Sequence, residues 1–117
     1  MRKTMNMALQ LRPNDETLLN IQGKLYEDAG EYQKARDLWS RLDMLHPDNL
    51  SVTKHLGLCY YNIASNYSNM AVGADDEKTE KKYRRQARNY FSDAVTKLTQ
   101  VTASDPTAVK YLKVLAV

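Results

Sequence analysis

Apolar residues return every three or four positions along most of the chain, which is the spacing of one buried helix face. In the first clear stretch they are Leu18, Leu19, Leu25 and Tyr26, with Gly23 among them; in the next they are Ala35, Leu38, Trp39, Leu42 and Leu45. Ala29-Gly30-Glu31-Tyr32 separates the two stretches as a turn. Pro47-Asp48-Asn49 ends the second, because proline cannot continue a helix and an Asp or Asn side chain accepts the orphan N–H groups of the next one. No segment of useful length alternates apolar and polar residues with the period of two that a half-buried strand requires. The pattern predicts an all-α chain.

Two longer stretches follow. The first predicted helix runs from about Asn49 to about Met70, with Leu56, Tyr60, Ile63, Tyr67 and Met70 on one stripe. Val72-Gly73-Ala74-Asp75-Asp76 is the turn, with Asp75 or Asp76 as cap and Glu77 in the first turn, where the helix dipole favours an acid. The second helix runs from there to about Ala103, carrying Tyr83, Ala87, Tyr90, Ala94, Leu98 and Val101. Ala87 and Phe91 anticipate the spacing of Ala94 and Leu98, so this helix reads as lengthened without a change of buried face.

The stretches also repeat. Pro13 and Pro47 lie 34 residues apart, and the same step relates Leu11 to Leu45, Gly23 to Gly57, Tyr26 to Tyr60 and Met5 to Trp39. A period of this size with helical patterning inside it marks an array of helix pairs. The unit 16–49 resembles the tetratricopeptide repeat through Gly23, Tyr26, Gly30, Tyr32, Ala35, Trp39, Leu42, Leu45 and Pro47. Leu19 and Gln22 depart from that family's aromatic and leucine. The resemblance implies a right-handed α-solenoid of antiparallel helix pairs. Residues 1–13 would be the end of one repeat, 16–49 a complete repeat, 50–106 a repeat with an insertion near 66–86, and 107–117 the start of another.

The long repeat is the feature special to this chain. Pro106 stands 59 residues after Pro47, an excess of 25 over the period. Shared between two arms, the excess adds ~10–12 residues to each, a helical hairpin projecting ~15–18 Å beyond the stack. Such a hairpin is either a spur held together by Tyr67, Met70 and Tyr83, or a docking element for a partner or a second copy.

Composition narrows the function classes. The formal charge of +3, from 17 basic and 14 acidic residues, does not by itself argue for nucleic acid. The one cysteine, Cys59, permits no internal disulfide. No apolar run approaches the ~20 residues of a membrane span, and the first residues lack the apolar core of a signal peptide. A cytoplasmic location is the expectation, with a periplasmic one open for a piece of a longer secreted chain. The pattern starts in mid-repeat and stops on Tyr111, Leu112, Val114, Leu115 and Val117. The expectation is therefore a piece of a longer array, with homo-oligomer contacts as the other way to cover those apolar ends.

Candidate chemistry is sparse. Lys81, Arg84, Arg85 and Arg88 share a helix face near Tyr83 and Tyr90, a combination that could suit phosphates and stacked bases. Glu77 and Glu80 sit four residues ahead of Lys81 and Arg84, however, which makes a salt-bridged, solvated face the stronger reading. Cys59 reads as a buried, inert thiol, and His46 and His55 as surface or helix-end residues with no partner at a metal-ligand spacing. No phosphate loop, HExxH or nucleophile elbow is present. No catalytic residue, metal or cofactor is expected, and the chain reads as no enzyme.

The resemblance instead points to the first helix of each pair, which lines a concave surface in that family. The residues there map to Asn20, Lys24 and Glu27 in the complete repeat, Lys54, Leu58 and Tyr61 in the next, and Lys113 in the last. The family's carboxylate clamp is not matched, since Asn20 precedes Lys24 and Leu58 stands where a second Asn belongs. The function implied is a non-catalytic scaffold binding a protein or peptide partner in this groove. The alternative is a self-assembly module joined through apolar end helices and the long hairpin.

Overall fold

The computed structural model describes residue 11 and residues 15–102. The half-repeats expected before Pro13 and after Pro106 lie outside the described residues, Leu11 apart. Four helices follow one another: α1 (Glu16–Asp28), α2 (Tyr32–Leu45), α3 (Leu50–Val72) and α4 (Glu77–Thr102). The described residues form no strand, so the all-α class expected from the sequence is the class observed. Among them no helix is long and apolar enough to cross a membrane.

The helix starts follow from local chemistry. Asp15 Oδ1 accepts from the Leu18 N–H at 3.0 Å and so caps α1. Asn49, 34 residues later, caps α3 by accepting from the Ser51 and Val52 N–H groups at 3.1 and 3.3 Å. Each side chain satisfies donors that the first helical turn leaves without a partner. Of the two aspartates expected to cap α4, Asp76 does so: the Thr79 N–H and hydroxyl donate to its two oxygens at 2.7 and 2.9 Å.

The first pair is closed at its turn by Gly30, whose φ of +75° suits a residue without a Cβ. The Gly30 N–H donates to the Glu27 carbonyl and the Glu31 N–H to the Tyr26 carbonyl, at 3.0 and 2.9 Å. These two bonds are the Schellman closure of a helix C-terminus. The turn of the second pair uses Gly73 at φ −89°, where any residue fits.

Two glycines set the distance between paired helices. The Trp39 indole lies across Gly23, so a Cβ there would stand 2.8 Å from the ring. Leu98 lies across Gly57 in the same manner, at 2.9 Å from such a Cβ. In each pair a bulky residue of the second helix thus sits on a bare backbone patch of the first. The pairs differ in length: α1 and α2 have 13 and 14 residues, α3 and α4 have 23 and 26.

Side-chain contacts order the helices into two rows. Glu27 of α1 reaches His55 and Cys59 of α3. Asp43 and Arg36 of α2 reach Lys97 and Tyr90 of α4. The core between the rows holds Leu19, Ala35, Leu38, Trp39, Leu42, Val52, Leu56 and Cys59, with Tyr26 and Tyr60 packed on it. Asp43 ties its base, accepting from the buried Thr53 hydroxyl at 3.0 Å and from Lys97 at 2.8 Å.

Beyond the α1–α2 turn the long pair continues without those neighbours. Its inner side is held by tyrosines: Tyr67 stacks on Tyr90 at 5.7 Å and meets Tyr83 at 6.2 Å, while Tyr60 meets Tyr90 at 6.2 Å. Aromatic rings at these separations add roughly 0.5–1.5 kcal/mol per pair beyond simple burial. Met70, expected on the same stripe, is 45% exposed.

Candidate functional site

The first-helix face comes from α1 and α3. Glu27 is drawn between the two helices, where its carboxylate accepts from His55 Nδ1 at 3.1 Å and from the Cys59 thiol at 3.5 Å. His55 in turn stacks on Trp39, with ring centroids 4.5 Å apart. His55 is therefore no surface residue: it bridges the indole of the first pair and the carboxylate of α1. Sequence spacing could not show this, because its partners lie 16 and 28 positions away on other helices. Cys59 is buried, as its pattern suggested. Burial, with the Glu27 charge and hydrogen bond adding to it, pushes its thiol well above the ordinary range, so the group stays protonated and a poor nucleophile.

The other expected residues are more spread. Asn20 is half-buried beside Glu16, Thr17 and Ile21 in a shallow depression of about 290 Å³. Lys24 is exposed, whereas Lys54 and Leu58 are half-buried. Tyr61 turns to the α4 side of α3, where its ring meets Phe91 at 6.0 Å. Lys113 lies outside the described residues. The fold thus brings Glu27 onto α3 but carries Tyr61 to the opposite edge of that helix.

Two larger concavities flank the long pair. A cleft of about 390 Å³ lies under the overhang, where Tyr32, Gln33 and Lys34 at the start of α2 face Ile63, Asn66 and Tyr67 of α3. The Gln33 amide donates to the Tyr67 hydroxyl across it at 3.5 Å. A groove of about 640 Å³ lies between α3 and α4, lined by Ser68, Lys81, Arg84, Arg85, Arg88 and Phe91 together with buried Ala87. The expected ion pairs are in place there, Lys81–Glu77 and Arg84–Glu80, both at 2.9 Å.

Neither concavity assembles a nucleophile, a base and an oxyanion donor. Among the described residues no group of three or more His, Cys, Asp and Glu side chains could hold a metal ion. No protein-family model, no curated protein and no solved structure matches the chain.

Proposed function

We propose that the two helix pairs are successive units of a tetratricopeptide-type right-handed solenoid, and that the chain is a non-catalytic protein-interaction scaffold. Its partner is a peptide segment lying along the face built by α1 and α3. The observation that carries this reading is the row formed by α1 and α3 through Glu27, His55 and Cys59. That row presents Asn20, Lys24, Lys54 and Leu58 on neighbouring helices of one packed frame. A frame of this kind costs a bound peptide little ordering on the protein's side, which is the benefit of a pre-formed surface.

A random-peptide display selection tests this reading. Peptides enriched on the wild type lose binding to an Asn20→Arg, Lys24→Glu variant whose helical circular dichroism is unchanged. Enriched peptides that bind both proteins equally would remove the α1 face from the account.

The second reading, self-assembly through the hairpin, draws on Met70 and Val72, which are 45% and 77% exposed at the far end of α3. Sedimentation velocity over a range of concentrations decides it, since a monomer throughout would exclude that reading.

A further inference from the structure

We propose that the groove between α3 and α4 on the overhang is a second docking site, and that it takes an acidic amphipathic helix of a partner protein. The proposal concerns a different surface from the α1–α3 face and stands without it.

Charge is the first observation. Four cations line the groove, and Glu77 and Glu80 occupy only Lys81 and Arg84. Among the described residues Arg85 and Arg88 have no ion-pair partner, and both are exposed. Arg84–Arg88 and Lys81–Arg85 also stand four residues apart as like charges, an arrangement that costs an isolated helix a few tenths of a kcal/mol each. The sequence thus concentrates positive charge here at a small expense in helix stability.

The apolar floor is the second observation. Ala87 is 4% exposed and Phe91 is half-buried against Tyr61, so the groove has an apolar bottom between basic rims. Ser68 leaves the α3 wall low. A nucleic-acid strand would meet phosphate contacts here but no exposed aromatic face, because the Tyr67, Tyr83 and Tyr90 rings stack among themselves on the inner side. An amphipathic helix with apolar anchors at i, i+3, i+4 and i+7 and Glu or Asp at its flanks matches both the floor and the rims. From Lys81 to Phe91 the groove spans ~15 Å, the length of a helix of ~10 residues.

Fluorescence anisotropy at low salt gives the test. The labelled probes are a peptide of ~12 residues with Leu and Phe on one helical stripe and Glu elsewhere, its scrambled isomer, its Lys-for-Glu counterpart and a single-stranded DNA. The expected result is that the acidic striped peptide binds at least ~10-fold more tightly than the other three, and that Arg85→Glu with Arg88→Glu removes that advantage. The milder Arg85→Gln, Arg88→Gln protein, which loses the charge without reversing it, loses most of the affinity. Asn20→Arg with Lys24→Glu leaves it unchanged, which separates this site from the α1–α3 face. Tighter binding of the DNA, equal binding of the scrambled peptide, or affinity indifferent to the arginine variants would each overturn the proposal.

Discussion

The two helix pairs share a base and differ at their far ends. At the base, Gly23 under Trp39 and Gly57 under Leu98 bring paired helices equally close, and Asp15 and Asn49 cap the two first helices in the same register. At the far end, α1 and α2 are closed at once by left-handed Gly30, while α3 and α4 run on to Gly73 and Asp76. Packing changes with them. Near the base the long helices bury Leu56, Ile63, Ala94 and Leu98; the overhang relies on tyrosines, small alanines and salt-bridged arginines. The comparison teaches that a helix pair can be lengthened at its open end while the glycine contacts that fix its spacing stay in place.

The largest effect expected from breaking this comparison is at its base. Trp39 is completely buried between Gly23 and His55, so Trp39→Ala should cost about 3–5 kcal/mol in urea unfolding. Tyr67→Ala removes a half-buried ring from the overhang and should cost less than half of that. Equal losses would mean that base and overhang are equally packed.

Next come the glycines. A helical Gly→Ala change gains about 1 kcal/mol from propensity, against about 1–3 kcal/mol for overpacking. The Trp39 ring, pinned by His55, cannot turn away, whereas the Leu98 side chain can rotate. Gly23→Ala should therefore destabilise by ~1–2 kcal/mol, and Gly57→Ala should be close to neutral. The reverse order would contradict the close-approach account of Gly23.

A smaller effect is pH-dependent. The folded chain holds the Cys59 proton above the ordinary thiol value of 9.0, mainly through burial. A group whose folded pKa is raised stabilises fully below its unfolded value and loses that contribution as pH rises past it. Stability should therefore fall above pH 9 by up to about 1.4 kcal/mol per pH unit from this group, and Cys59→Ala should flatten the profile. Identical slopes in both proteins would show the thiol to be accessible.

The smallest effect belongs to Asp76, whose carboxyl is held below its ordinary value by the Thr79 N–H and hydroxyl. Its folded pKa is depressed, so the capping contribution is present above the ordinary carboxylate pKa and fades as pH falls below it. The Thr79 amide should then exchange faster in acid, with the base helices unaffected.

Much of this organisation was legible in the sequence because it rests on local rules. Pro47 and Asn49 mark a helix boundary by sterics and capping, and the excess between Pro47 and Pro106 announces the long arms. The choice between Asp75 and Asp76 needed the turn's geometry. Contacts between distant positions were not legible: the Glu27–His55–Trp39 chain and the Asp43–Thr53–Lys97 tie join helices whose relative placement no spacing encodes. The candidate face was only partly legible for the same reason. Helical periodicity puts Glu27 and Tyr61 on outward stripes, but packing draws one between α1 and α3 and carries the other to Phe91.

The most direct test of the shared-base account is to remove the overhang. Residues 63–90 would be replaced by Ala-Gly-Glu, the sequence of the first turn, giving two short pairs in register. The account predicts a helical protein with a cooperative thermal transition and intact Trp39 near-ultraviolet signal, which no longer binds the acidic striped peptide. A non-cooperative melt with the tryptophan signal lost would contradict it, showing that the overhang is part of what folds the base.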